Sequence, residues 1–248
     1  VAFLLSAAQN GAMSNANHLL ISERALQQTV GWIAFLMPIS VRLLAFLSPD
    51  QVWTTNSISA YYYSSARDVF VGALVVGGVV MAFFDTGHRR DRWISILAGA
   101  SAIGIALFPM KISIGVLSSR DTILPDDETK LVQALLHAPH GPLGYHFIFV
   151  AAFFVLTFYL VTFRFRANTP SMPTQEKCRR NKVYIACGAG MAVAFAWIAI
   201  LELNGQQQSI FWPETLAVMA FSAAWLVKGQ LVLKDGPAAT TAGTAGRD

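Results

Sequence analysis

Charge is what this sequence has least of. Only 13% of its 248 residues are Asp, Glu, Lys or Arg, about half the share that a soluble domain carries. With 54% hydrophobic residues and a mean hydropathy of +0.49, the chain cannot dress the surface of a water-soluble globule. It reads as a chain solvated by lipid. Cysteine is almost missing too: Cys178 and Cys187 are the two present, too few for a disulfide framework. Both are expected as free thiols near a reducing cytoplasm. The apolar runs lack period-2 alternation, which argues against a transmembrane β-barrel. There is no phosphate-binding glycine loop, G-x-S-x-G elbow, C-x-x-C pair or H-E-x-x-H. The net charge of +4 has no basic stripe or nucleic-acid motif behind it, so nucleic acid is not an expected partner.

What the sequence does have is long apolar runs. A helix crosses the hydrocarbon with roughly 17–25 apolar residues. Six runs qualify: Val30–Leu47, Arg67–Phe84, Trp93–Met110, Leu143–Phe163, Val183–Glu202 and Trp212–Val232. The predicted fold class is therefore all-α, a polytopic bundle of six transmembrane helices. Residues 29–232 form the membrane domain, 1–28 a cytoplasmic N-terminal segment and 233–248 a small, polar, disordered tail. The first residues, V-A-F-L-L-S-A-A-Q-N-G-A, make no convincing signal peptide. Met13 offers a start that would leave Val1–Ala12 as a non-native extension.

Orientation follows from Lys and Arg. Loop Asp85–Arg92 carries Arg89, Arg90 and Arg92, and loop Arg164–Lys182 carries Arg164, Arg166, Lys177, Arg179, Arg180 and Lys182. The alternate loops Ser48–Ala66 and Leu203–Phe211 carry none, and in Lys111–Pro142 the positive charges face Asp121, Asp126, Asp127 and Glu128. The positive-inside rule then predicts both termini in the cytoplasm of a bacterial plasma or inner membrane. Trp32, Trp53, Trp93 and Trp212 fall near run ends, where the headgroup layer favours them. Small residues at four-residue spacing, Ala100/Gly104 and Ala186/Gly190/Ala194, mark close helix packing. The pairs Gly77-Gly78 and Gly188/Gly190 are read as packing positions too. Pro38 and Pro109 are expected at kinks or helix ends.

Placed by depth, the ionisable residues gather on one side. Arg42, Arg67, Asp68, His146, Glu202 and Glu214 lie in the outer third or at the outer rim, joined by Tyr63 of the Tyr61-Tyr62-Tyr63 run. Ionisable groups inside a membrane tend to face the bundle interior or a wet cavity. These residues are candidates to line a pocket for a lipid headgroup or a small anionic ligand. Each also has a structural reading. Ser65-x-x-Asp68 fits a capping box, and Glu214 after Pro213 complements a helix dipole. Arg42 needs a partner, with Asp68 and Glu214 the candidates, and Lys228 can snorkel.

His146 is the candidate acid or base, with Asp68 or Glu214 to orient it, or else one interhelix hydrogen bond. Those two outcomes separate a lipid-modifying enzyme from an accessory membrane subunit without a ligand. The spacing His137-x2-His140-x5-His146 matches no helix-based zinc pattern, so no metal or cofactor is expected. Asp126–His137 reads as a short amphipathic helix.

The blocks S-I-S-A-Y-Y-Y-S-S-A-R-D-V-F-V-G-A-L, A-G-A-S-A-I-G-I-A-L-F-P, Y-H-F-I-F-V-A-A-F-F and F-W-P-E-T-L-A-V-M-A-F-S-A-A-W-L-V-K-G span most of Thr29 to Val232. They resemble a family of uncharacterised bacterial six-helix integral membrane proteins. The resemblance implies six spans and supplies no activity or cofactor. Its matching positions include Arg67, Asp68, His146, Glu214 and Lys228.

Overall fold

The computed structural model describes residues 22–48, 57–84, 88–110, 144–167, 174–204 and 210–234. Among the described residues six helices follow one another: α1 Glu23–Leu47, α2 Arg67–Ala82, α3 Arg89–Leu107, α4 Tyr145–Ala167, α5 Gln175–Leu203 and α6 Phe211–Lys228. A 3-10 turn, Ser59–Tyr63, precedes α2, and there is no strand among the described residues. Three stretches, Glu23–Leu47, Tyr145–Ala167 and Gln175–Leu201, are long and apolar enough to cross a membrane. Residues 1–21 of the N-terminal segment, His137, His140, the Asp126–His137 segment, Trp53, the Glu202 side chain and residues 235–248 of the tail lie outside the described residues, whereas 22–28 belong to the cap and first turns of α1.

Hydropathy located the helix centres better than their ends. α1 starts at Glu23, not Val30, because the Ser22 hydroxyl caps it by accepting from the Ala25 N–H at 3.1 Å. α5 starts at Gln175, not Val183, with Thr174 accepting from the Lys177 N–H at 3.2 Å. Much of one basic "loop" is thus helix. Hydropathy reports contact with lipid, whereas a capped helix continues into water. α6 ends early, at Lys228, although the apolar run continues to Val232. The Leu231 N–H bonds the Leu226 carbonyl and the Gln230 N–H bonds that of Val227, with Gln230 left-handed at φ 55°. That is a Schellman termination with glutamine in glycine's usual place. Pro38 lies inside α1, and Pro109 follows the end of α3.

Around the bundle, α1 packs on α2 and α6, α2 on α3, α3 on α4, and α5 on α6; α4 meets α5 mainly through its last turns. Those turns include a π segment, Leu160–Arg164. The extra residue lets Leu160, Val161 and Phe165 all face the core while Arg164 turns towards α3. The α2–α3 contact is the closest: a Cβ on Gly78 or on Gly99 would collide with the other's backbone. This pair, rather than Ala100 (exposed), is where small residues bring helices together. Gly104 faces the Phe149 ring, Gly188 faces Thr162 and Gly190 faces Ala220. Gly77 is no more confined than Gly190: a Cβ on either would make only an ordinary contact at 3.6 Å, with Ile33 and Ala220 respectively.

Buried side chains form two clusters at opposite ends. One gathers Phe84, Phe165, Tyr184 and Trp225; the other gathers Val41, Ile58, Tyr61, Phe70 and Phe211. They are called the Trp225 end and the Tyr61 end below. Outward-facing side chains stay apolar, with Phe83 70% and Val155 66% exposed. A helix apolar all round belongs in a large core or in lipid.

Candidate functional site

The Tyr61 end holds most of the candidate residues, and the structure joins them differently from expectation. Glu214, one residue into α6 past Pro213, sends its carboxylate across to the segment before α2. It accepts from the Ser57 hydroxyl, 2.9 Å to either oxygen, and from the Ile58 N–H at 2.5 Å. Ser57 in turn accepts from the Ser59 N–H at 3.1 Å. Glu214 thereby latches the 3-10 turn to α6, beyond the dipole role expected of a first-turn acid. Charge-assisted bonds of this kind are the stronger class. Tyr61, fully buried, packs edge-on against Phe211 beneath the latch.

The 3-10 turn also replaces the capping box expected from Ser65 and Asp68. The α2 cap position is Ala66, with no side-chain cap bond. Ser64 takes over: its hydroxyl donates to the Tyr61 carbonyl at 2.8 Å and accepts from the Ala66 N–H at 3.2 Å. The tight turn runs straight into the helix, so the useful serine sits one residue earlier than the box requires. Asp68 is exposed and makes no ion pair among the described residues.

Arg67 lies over the Tyr62 ring, 4.5 Å from its centroid, and donates to the Tyr62 hydroxyl at 2.9 Å. Tyr63 donates to the Met110 carbonyl at 2.8 Å, tying the turn to the end of α3. Burial pushes the Tyr63 phenol above its ordinary value of 10.0; Tyr62 adds to this and Arg67 offsets it. The buried His146 places Nδ1 2.8 Å from the Phe108 carbonyl. No carboxylate is bonded to it among the described residues, so His146, Asp68 and Glu214 are not brought together as an acid–base group. It joins the start of α4 to the end of α3.

Arg42 is the residue most changed by the tertiary structure. Neither Asp68 nor Glu214 reaches it: the first is exposed and the second serves Ser57 and Ile58. Its guanidinium instead lies 4.7 Å from the Phe211 ring centroid and 5.7 Å from that of Trp212. Aromatic faces attract the cation but accept no conventional hydrogen bond, and among the described residues no oxygen acceptor is bonded to its N–H donors. Beside it runs a lateral groove between α1 and α6 of about 510 Å³, walled by Ile39, Leu43, Phe46, Phe211, Trp212 and Met219.

A second space, partly open, lies among the helices, about 90 Å³, bordered by five helices and the 3-10 turn. Glu214 and Ser59 stand on its wall; the rest is hydrocarbon, including Met37, Phe70, Ile105 and Phe153.

One charged pair escaped the sequence reading. Asp91, 1% exposed, closes an ion pair with Arg164 at the Trp225 end. The signal was a single acid inside R-R-D-R, read as loop charge because the helix was thought to begin at Trp93. Nearby, the Lys228 ammonium lies 5.3 Å from the Phe165 ring centroid, and the buried Arg180 donates to the Leu233 carbonyl at 2.7 Å. Cys178 is an exposed free thiol and Cys187 a buried one. No protein family, curated protein or solved structure matches the chain.

Proposed function

We propose that the chain is a multi-pass protein of a bacterial plasma membrane that holds the phosphate headgroup of an anionic lipid at Arg42. In this reading all six helices cross the bilayer, and the Trp225 end and both termini are cytoplasmic. Three helices of sufficient length and hydropathy support membrane insertion; the basic residues beside α3 and α5 support the orientation; the S-I-S-A-Y-Y-Y…R-D-V-F-V-G resemblance supports a bacterial origin.

The observation that carries the headgroup is Arg42. It is half-buried, stacked on two aromatic rings, and without a carboxylate among the described residues. A phosphate satisfies a guanidinium with two parallel hydrogen bonds. The adjoining groove is lined by hydrocarbon, which suits the chain of the same lipid better than a free anion.

The test is native mass spectrometry of the full chain from nanodiscs of phosphatidylcholine and phosphatidylglycerol in equal parts. Arg42→Gln should lower retained phosphatidylglycerol about tenfold relative to phosphatidylcholine, the loss of one charge-assisted contact. Equal retention by variant and wild type would sink the reading. Competition by inorganic phosphate at millimolar level would transfer the site to a free anion. Orientation is read from Cys178: a membrane-impermeant maleimide should label it in inverted vesicles and not in intact cells. Labelling in intact cells would reverse the topology.

A further inference from the structure

The interior cavity has a property that helix packing does not explain. Gly78 and Ala102 are small because α2 and α3 cross there. Gly77 and Ala73 also face the cavity, yet a Cβ on Gly77 would make only an ordinary contact with Ile33 at 3.6 Å. A larger side chain at either position would fill the void, and the chain carries none. The small residues Gly77 and Ala73 on its wall leave this partly open space between the helices.

Water does not suit it. A buried water needs about two to four polar partners, whereas the walls offer Ser59 and the Glu214 carboxylate at one end, the latter already accepting from Ser57 and Ile58. Apolar cavities of comparable size stay dry and accept hydrocarbon. The volume of about 90 Å³ equals about three times a water molecule's share of liquid volume, enough for the last few carbons of a chain. Ala34, Gly77, Phe153 and Val218 on its wall are mid-helix residues. In a spanning bundle that depth is the bilayer midplane, where acyl chains end.

We propose that this cavity receives the terminal carbons of a membrane lipid's acyl chain. The proposal rests on the membrane reading above and not on Arg42. Its occupant is specified by hydrocarbon lining, size and depth, so any headgroup will serve.

The experiment uses the full chain in nanodiscs of phosphatidylcholine, a fraction of it bearing a diazirine at the end of one acyl chain. After photolysis, insertion is mapped by peptide mass spectrometry. Wild type should show insertion at the cavity residues Phe70, Met81 or Ile105 as well as at outward-facing Leu36, Val76 and Val79. Gly77→Leu and Ala73→Leu should each cut cavity insertion about tenfold, as losing the burial of two methylene groups requires, and leave outward insertion unchanged. If Gly77→Leu fails to fold, Ala73→Leu decides alone. Insertion confined to the outward residues overturns the proposal and leaves the membrane reading standing. Cavity insertion unchanged in the folded variants overturns it too. No insertion at either set removes both.

Discussion

The two ends of the bundle hold their acids in different ways, although each also rests cations on aromatic rings, Lys228 at one and Arg42 and Arg67 at the other. At the Trp225 end an acid meets a base, Asp91 with Arg164, and a second guanidinium, Arg180, is seated on a backbone carbonyl. At the Tyr61 end the acid is held by a neutral hydroxyl and an amide, while Arg42 and Arg67 rest on aromatic rings. The first arrangement closes charges against each other and leaves little for a ligand. The second uses Glu214 as a mechanical tie and keeps the Arg42 donors available. Two clusters of similar residue types therefore do different work, and whether opposite charges touch decides which.

Three substitutions sharpen or break this contrast. The largest effect is expected from Asp91→Ala, which removes the buried partner of the part-exposed Arg164. Losing a charge-assisted bond to a buried carboxylate costs about 2–3 kcal/mol, read as a lowered midpoint of denaturant unfolding in detergent; a loss below about 1 kcal/mol would make the pair an ordinary surface contact. Next comes Glu214→Ala, which leaves the Ser57 hydroxyl and the Ile58 N–H without their acceptor and should cost about 2 kcal/mol. Protease nicking near residues 57–63 should rise with it. Unchanged stability and nicking would mean that the 3-10 turn is held by packing alone.

The smallest expected effect is that of Tyr63→Phe, about 1 kcal/mol for its bond to the Met110 carbonyl. A pH series checks the same bond. The folded phenol's pKa is raised, so its stability is fully present below the unfolded value of 10.0 and is lost as pH rises through the higher folded value. Tyr63→Phe should flatten that alkaline loss. An identical alkaline profile in both proteins would remove Tyr63 from the account.

How far the sequence could be read depends on the property asked of it. Arg67–Phe84 foretold α2 to within two residues because no cap extends that helix. Val183 missed the start of α5 by eight residues because the basic segment before it is helical in spite of its charge. Gly77 and Gly78 look alike in sequence and both border the cavity, yet only Gly78 meets a neighbouring backbone. A shift of one residue turns a helical side chain by about 100°, and that rotation is invisible without the neighbouring helices.

The same reason divides the whole account. Composition and hydropathy by themselves determined an all-helical chain, the centres of its helices and the apolar surface on at least three of them, since these are sums of single-residue transfer energies along the chain. Only the tertiary structure decided that Glu214 ties down Ser57 and Ile58, that His146 meets a carbonyl, that Arg42 stacks on Phe211 and Trp212, and that Asp91 finds Arg164. Hydrogen bonds and ion pairs act over about 3 Å, between residues that the chain separates by 157 positions in the case of Ser57 and Glu214. That distance is crossed only when the helices are packed.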